Sequence, residues 1–248
     1  MKLLKEHAHA ALLAVLVLFF VAMPVAMQLD EFLLERFDRP LMEYALLGCF
    51  VLVLLAAVYA ERGGISWRRP AVYVLAVLVL MRVGGTVYQG DLSHSGYRWF
   101  LISVEVFTAG FIFQICYSVL TSVTRRPSVG VETIAGVSSV YILLALGFAS
   151  LHIAVFMYEN SSVAYVGSIV QWTDAIKGGT TLRDWGPDFT YLSVVTQTTL
   201  GYGDIAPKSA IARGLVMTQT VVGQLYLAIV IARIVAMEIA SRRLEDPN

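Results

Sequence analysis

The sequence predicts an all-α membrane protein, in which six transmembrane helices are joined by loops and one short apolar segment re-enters the membrane between the fifth and sixth. Hydrophobic residues make up 58% of the 248-residue chain, charged residues make up only 15%, and the mean hydropathy is +0.72. Such a composition is too apolar for a soluble domain of this length. Lipid is therefore the expected surrounding of most of the chain.

Six apolar segments are long enough to cross the hydrocarbon core of a bilayer, which takes about 20 residues as a helix. They are residues 10–28, 42–60, 70–90, 99–123, 134–158 and 210–240. Stretches rich in Pro, Gly and charge separate the first five. A further segment, residues 189–204, is too short to span, so we expect it to re-enter where surrounding protein shields its backbone.

Lysine and arginine residues are distributed unevenly between the two sides of the predicted helices. Nine lie on the side that holds both termini and seven on the other. The Arg pairs at 68–69, 125–126 and 242–243 all fall on the terminal side. The positive-inside rule therefore predicts that both termini are cytoplasmic, in a multi-pass protein of the cell membrane.

Residues 1–27 have two interpretations. Lys2 and Lys5 precede an apolar run, as in a signal peptide that is later removed. The apolar stretch of about 18 residues is longer than the hydrophobic region of most signal peptides. We expect a retained helix, and a cleaved signal peptide is the alternative.

A glycine-rich run connects the re-entrant segment to the last helix: Thr198-Thr199-Leu200-Gly201-Tyr202-Gly203-Asp204. Backbone carbonyls that point the same way replace the water shell of K⁺ when several copies of such a strand face one axis. This arrangement requires backbone angles that alternate between the ordinary and mirror regions, and Gly201 and Gly203 adopt the mirror region without steric penalty. The run is therefore a candidate K⁺ site.

The run resembles the selectivity filter of the potassium channel superfamily, with Leu200 where Val is more usual. Residues 189–198 are similar to the pore helix of that family, and residues 223–226 to the middle of its inner helix. The resemblance covers about residues 130–243, and the chain resembles prokaryotic six-helix potassium channels that have a two-helix pore module and no voltage-sensor arginines. It implies that K⁺ is coordinated by Thr199, Leu200, Gly201, Tyr202 and Gly203.

The resemblance also implies a division of the chain and an assembly. Residues 1–126 are expected to form a four-helix scaffold domain, and residues 127–248 a pore domain made of an outer helix, a turret, a pore helix, the filter and an inner helix. Four identical chains around one axis would then form a pore that conducts K⁺ passively. K⁺ and the lipid bilayer are the expected partners, and no cofactor is needed.

The glycine-rich run of residues 198–204 is called the filter run below. Four residues in it or next to it are candidates for supporting it. Thr196 and Thr198 are expected to tie the pore helix to the filter strand, and a plain packing role suits either residue about equally. Asp204 is expected to accept hydrogen bonds from Tyr191 or from backbone amides behind the filter mouth. A solvated acid at the rim is the alternative for Asp204.

The last helix contains a glycine at its middle, Gly223, 19 positions after Asp204. By family resemblance this is the place where an inner helix bends to open its gate, while close helix packing in lipid is an equally ordinary reason for a small residue. The resemblance also directs one stripe of the helix towards the cavity or inner gate: Gln224, Leu227, Ile231 and Val235.

The fourth helix lacks the charges of a voltage sensor. Residues 99–123 contain one charged residue, Glu105, so the membrane field has almost nothing to act on. Arg82 lies about 18 Å from the inner face and Glu105 about 9 Å from the outer face, nearly the same depth in a core of about 30 Å. We expect a structural ion pair between them, and a sensor is the less favoured alternative.

Residues 159–187 form a long connection between the fifth helix and the pore helix. The middle of this connection, residues 163–172, is semi-apolar. An outer cap, an interfacial helix and a flexible turret all fit that composition, and the sequence does not choose among them.

Other classes of function find no support in the sequence. The net charge is zero and no basic stripe occurs, so nucleic acid is not an expected partner. Cys49 and Cys116 lie in apolar segments, so they are expected to be small buried hydrophobic residues. The four histidines lack metal-ligand spacing. His152, inside the fifth predicted helix, is expected to be a satisfied core histidine rather than a proton sensor. No nucleophile with a base and no paired carboxylates occur, so an enzyme is not expected.

The expected function is therefore a potassium-selective channel. A weakly selective cation channel and a non-conducting subunit of a heteromeric channel are the alternatives. About five residues follow the last helix, so regulation by a soluble domain would have to come from an unidentified regulatory subunit. The gating stimulus is not determined by the sequence.

Overall fold

The computed structural model describes residues 7–34, 95–124, 130–159, 163–165, 168–169 and 182–245. These residues form mostly helices, as the composition predicts, together with three short strands. In chain order the elements are α1 (Ala8–Leu34), α2 (Ser95–Thr124), α3 (Val131–Glu159), β1 (Val163–Tyr165), β2 (Ser168–Ile169), α4 (Leu182–Gln197), β3 (Ile205–Pro207) and α5 (Ala210–Glu245).

Three of the described helices are long and apolar enough to cross a membrane. These stretches are Gly96–Thr124 of α2, Val131–Glu159 of α3 and Ala210–Met237 of α5. They coincide with the predicted segments 99–123, 134–158 and 210–240. Ala8–Met23 of α1 is a shorter apolar helix that overlaps the predicted first segment, and the predicted segments 42–60 and 70–90 lie outside the described residues.

The chain divides into two compact units. The described part of the first unit contains α1, residues 115–124 of α2, residues 131–142 of α3 and the end of α5 from Ile234. Leu12 and Leu16 of α1 are fully buried in it. At Gly136 of α3, a Cβ atom would lie 2.5 Å from Cγ2 of Val123, so only glycine permits this close approach of α3 to the end of α2.

The carboxylate of Glu132 joins the start of α3 to the start of α1. Its Oε2 accepts a hydrogen bond from the backbone N–H of His9 at 3.1 Å, and its Oε1 accepts one from Ala10 at 3.3 Å. The ring Nδ1 of His7 lies 3.7 Å from Oε1. An acid is favourable here because the first amides of a helix lack intrahelical acceptors and carry partial positive charge. These contacts join α1 to α3 within the first unit.

The second unit is built around an apolar cluster that holds α4. The cluster joins residues of α2, α3 and α4: Leu101, Ile102, Ile153, Ala154, Phe156, Met157, Phe189 and Leu192. The rings of Phe156 and Phe189 have their centroids 5.2 Å apart, and Phe189 is 1% exposed. Burying one such side chain contributes about 1.5–3 kcal/mol. Phe189, the first residue predicted for the pore helix, therefore anchors α4 in this cluster.

The helix α4 begins at Leu182 rather than at Phe189, so the predicted connection of residues 159–187 was too long at its carboxyl end. The sequence predicts a boundary at Pro187, yet this residue lies inside the helix. Proline lacks one backbone N–H and so removes a single bond of the helical ladder. The surrounding helix tolerates that loss.

The three strands form a small antiparallel sheet in the order β2-β1-β3. Ala164 pairs with Ile169 across the β1–β2 hairpin, while Val163 pairs with Pro207 and Tyr165 with Ile205. The described part of the 159–187 connection therefore pairs with the chain that follows Asp204. Local composition did not predict this sheet, because the pairing of β1 with β3 joins residues about 40 positions apart.

Candidate functional site

In the glycine-rich run that follows α4, residues with positive φ alternate with residues that lack it. The φ angle is +59° at Thr199, +58° at Gly201 and +80° at Gly203. Among the described residues these are the only ones with positive φ. The sequence predicted the mirror region for the two glycines but not for Thr199, because a β-branched residue rarely adopts it. The period of two residues, extended back from Gly201, is the signal that would have identified Thr199.

The start of the run is tied to the end of α4 by backbone hydrogen bonds. The N–H of Thr198 donates to the carbonyl of Val194 at 2.9 Å, that of Thr199 to Thr196 at 3.1 Å, and that of Leu200 to Val195 at 2.9 Å. These bonds satisfy carbonyls at the helix end that lack intrahelical donors. The position of the run is therefore set by the last turn of α4.

The two threonines expected to tie the helix to the strand contribute in different ways. The hydroxyl of Thr198 donates to the carbonyl of Val194 at 2.8 Å, and the carbonyl of Thr196 accepts the N–H of Thr199. The hydroxyl of Thr199 donates to the carbonyl of Thr198 at 2.6 Å. Thr196 is half-buried, while Thr198 and Thr199 are exposed in the single chain.

Asp204 closes the other end of the run. The hydroxyl of Tyr191 donates to Oδ2 of Asp204 at 2.8 Å, and the N–H of Ile205 donates to Oδ1 at 3.0 Å. This hydrogen bond between Tyr191 and Asp204 is the one that the sequence predicted. It raises the pKa of Tyr191 to about 12, since the neighbouring carboxylate disfavours the phenolate. The run is thus held by α4 at both of its ends.

Buried polar side chains line the back of α4. Ser193 and Gln197 are at most 1% exposed, and both lie near Gln219 of α5. Gln219 also lies 2.9 Å from Nε2 of His152 in α3, so His152 is the satisfied core histidine that the sequence predicted. Sequence analysis missed Ser193 and Gln219, because their polarity in apolar helices was the only signal they offered.

Gly223 of α5 is buried against Gln197. A Cβ atom at position 223 would lie 2.9 Å from Cγ of Gln197 and 3.2 Å from its carbonyl oxygen. The stripe expected to face the cavity is otherwise open within the single chain: Gln224 is exposed, Leu227 is half-buried, and Ile231 and Val235 are 59% and 51% exposed.

The predicted ion pair lies only partly within the described residues. Glu105 of α2 is 3% exposed, and Arg82 is outside the described ranges. The pairing of Arg82 with Glu105 therefore stays a prediction.

The electrostatics of the site favour a cation. α4 ends at the run, and the carboxyl end of a helix carries partial negative charge from carbonyls that accept no intrahelical bond. Asp204 adds a carboxylate at the far end. In the described part of the chain, no group of three or more His, Cys, Asp or Glu side chains forms a site for a metal ion.

Comparison with known proteins identifies one matching family. Residues 155–239, about a third of the chain, match the model of a family described as ion channel. The match includes the end of α3, all of α4, the filter run and most of α5. No curated protein and no solved structure matches the chain significantly. Together, this match and the apolar helices indicate a membrane protein with an ion channel domain, of the transporter type and not an enzyme.

Proposed function

We propose that the chain is a potassium-selective channel, which conducts K⁺ passively through a pore formed by four identical subunits. The observation that carries this proposal is the alternation of the backbone at Thr199, Gly201 and Gly203. When consecutive residues alternate in hand, their carbonyl oxygens turn to the same side of the strand. A strand of this kind offers a column of oxygens to a dehydrated cation.

The residues of the filter run and the residues that hold it have different roles. Carbonyl oxygens of residues 199–203 coordinate K⁺, and the hydroxyl of Thr199 adds an oxygen at the inner end. Tyr191 and Asp204 brace the outer end through their hydrogen bond. Leu200 and Tyr202 lie between the residues of positive φ and turn their side chains away from the ion column.

Assembly around an axis is supported by the surfaces that a single chain leaves uncovered. Leu200 and Tyr202 are 56% and 69% exposed. Only 11% of the apolar window of α5 is buried, against 72% for that of α3. One strand cannot close a ring of oxygens, so copies of the chain are needed both to complete the site and to cover these side chains. A fourfold axis meets both needs.

The placement in the membrane follows from the charge distribution. With both termini cytoplasmic, the run opens on the outer side and α5 ends on the inner side. The Arg-rich loops then lie in the cytoplasm, as the positive-inside rule requires. The stripe of Gln224, Leu227, Ile231 and Val235 lines the path between the filter and the cytoplasm.

The experiment that tests this function is a reversal potential. Purified full-length protein is placed in a planar bilayer, with K⁺ on one side and Na⁺ on the other, and its subunit number is measured by native mass spectrometry. A reversal near the K⁺ equilibrium potential from a tetramer supports the proposal. Currents that reverse near zero indicate a weakly selective cation channel instead. A silent tetramer favours the non-conducting subunit of a heteromeric channel.

A further inference from the structure

A buried polar network connects three helices behind the filter run. Its members are His152 of α3, Ser193 and Gln197 of α4, and Gln219 of α5. They are at most 2% exposed. Side chains of this kind are costly to bury unless their hydrogen bonds are made. The network therefore requires a reason beyond simple packing.

The hydrogen bonds of the network assign the orientation of the Gln219 amide and the tautomer of His152. One amide atom of Gln219 lies 2.9 Å from the carbonyl oxygen of Ser193, which only accepts, so this atom is the nitrogen. The other amide atom is then the oxygen, and it lies 2.9 Å from Nε2 of His152. His152 must therefore carry its proton on Nε2 and donate it. The carbonyl of Ser193 in α4 thus fixes the amide orientation of Gln219 in α5, and this orientation fixes the tautomer of His152 in α3.

Ser193 completes the chain of bonds. Its hydroxyl accepts from the amide nitrogen of Gln219 at 2.7 Å and donates to the carbonyl of Ala145 in α3 at 2.6 Å. A third acceptor of the same nitrogen is Oε1 of Gln197 at 3.5 Å. The side chain of Gln219 consequently holds α4 by Ser193 and α3 by His152 at one level.

We propose that Gln219 is a positioning residue for ion selectivity, which fixes the depth and rotation of α4 through Ser193 and thereby the geometry of the carbonyls from Thr199 to Gly203. This inference rests on the proposed potassium channel function. Apolar side chains of the same shape would pack the three helices equally well, but they would not specify one register. Hydrogen bonds with assigned donors and acceptors do specify one.

A displacement of α4 would reach the filter run through the few residues between Ser193 and Thr199. Ser193 lies one turn before Gln197, and the carbonyls of residues 194, 195 and 196 accept the N–H groups that begin the run. A small rotation or sliding of α4 therefore moves Thr199 and Leu200 directly. Ion coordination is sensitive to such displacements because the oxygens must match the lost hydration shell.

A pair of matched serine variants tests the inference. Ser193→Ala removes a hydroxyl that joins helices, whereas Ser139→Ala removes an equally buried hydroxyl that donates to Ala135 in its own helix. The readout is the K⁺ to Na⁺ permeability ratio of the full-length protein in a bilayer. We expect Ser193→Ala to lower this ratio by roughly tenfold, the scale of one buried hydrogen bond, and Ser139→Ala to leave it unchanged.

A second set of variants separates positioning from stability. Gln219→Met leaves the N–H of His152 without its acceptor, so we expect it to lower both thermal stability and the permeability ratio. The double variant Gln219→Met/His152→Phe replaces both partners by apolar groups. We expect it to regain thermal stability but not the permeability ratio, since no bond then specifies the register.

The outcomes for the two proposals are distinguishable. If the unmodified protein does not select K⁺, the proposed function itself fails. If the unmodified protein selects K⁺ but Ser193→Ala has the same permeability ratio as Ser139→Ala, positioning through the Ser193 hydroxyl is overturned. The positioning role of Gln219 is equally overturned if the double variant regains the permeability ratio together with its stability, because a structural role would then be sufficient.

Discussion

Gly223 and Gln197 are in such close contact that a Cβ atom at position 223 would lie 2.9 Å from Cγ of Gln197 and 3.2 Å from its backbone oxygen. The contact joins the middle of α5 to the last residue of α4, immediately before the filter run. The sequence is compatible with both a hinge and a packing role for this glycine. The geometry is that of a packing glycine, and it makes the two roles separable by experiment.

We predict that Gly223→Ala destabilises the protein, while Gly214→Ala in the same helix does not. Alanine favours a helix by about 1 kcal/mol over glycine, and at position 214 no atom lies within 4 Å of the added Cβ. At position 223 the added atom meets backbone, so overpacking should cost about 1–3 kcal/mol. Thermal unfolding in detergent checks both variants.

A hinge predicts a different pattern for the same two variants. Gly223→Ala would then keep its melting temperature and reduce the open probability of single channels. That combination would contradict the packing role.

We predict that Tyr191 ionises far above the ordinary range of tyrosine. Its hydrogen bond to Asp204 raises its pKa from 10 to about 12. The stability that this bond contributes is therefore fully present below pH 10 and is lost as the pH rises through about 12. The measurement is the tyrosinate absorbance of the full-length protein minus that of Tyr191→Phe, as a function of pH.

The matched control for this titration is Asp204→Asn. Without the carboxylate, the difference curve against its own Tyr191→Phe version should move back towards the ordinary pKa of tyrosine. A midpoint near pH 10 in the unmodified protein would show that the hydrogen bond does not form.

We predict that Gly201→Ala impairs K⁺ conduction through backbone strain alone. The φ angle at this position is +58°, and no atom lies within 4 Å of an added Cβ in the single chain. An L-residue with a side chain costs roughly 1–2 kcal/mol in this region. The conductance in K⁺ is the measurement, and Gly110→Ala, which is also uncrowded and has no positive φ, is the control.

The strain at position 201 should not prevent folding. A Gly201→Ala protein with normal K⁺ conductance would mean that the alternating backbone is not required for ion flow. That outcome would remove the observation on which the proposed function rests.

We predict that Glu132→Ala loosens α1 from the rest of the first unit. Two backbone N–H groups of α1 then lose their acceptor, and a lost helix cap costs about 1 kcal/mol. Glu132→Gln keeps an acceptor oxygen and should lose less. Amide hydrogen exchange of residues 9 and 10 measures the effect locally, and unchanged protection in Glu132→Ala would contradict it.

Much of the helical fold is predictable from the sequence, for a physical reason. Lipid offers no hydrogen bonds to a backbone, so long apolar runs must satisfy themselves as helices. The predicted segments 99–123, 134–158 and 210–240 therefore lie within α2, α3 and α5. The start of α4 was predicted less well, because Pro187 is ordinarily a boundary and the helix continues through it.

The backbone of the filter run was predictable only in part. Gly201 and Gly203 indicate positive φ in the sequence, because a residue without a Cβ adopts it easily. Thr199 carries no such signal, and its left-handed conformation is imposed by the bonds that its neighbours make to α4. A strained residue of this kind persists only where the surrounding structure holds it.

The sequence alone determined that the chain is apolar and helical and that a glycine-rich run lies between its last two helices. It could do so because composition and local steric preferences act on neighbouring residues. Only the tertiary structure decided which distant side chains meet. His152 and Gln219 are 67 positions apart, and Gln219 and Ser193 are 26 apart. Their pairing depends on how three helices pack, and helical periodicity does not specify which polar residues on those helices will share one level.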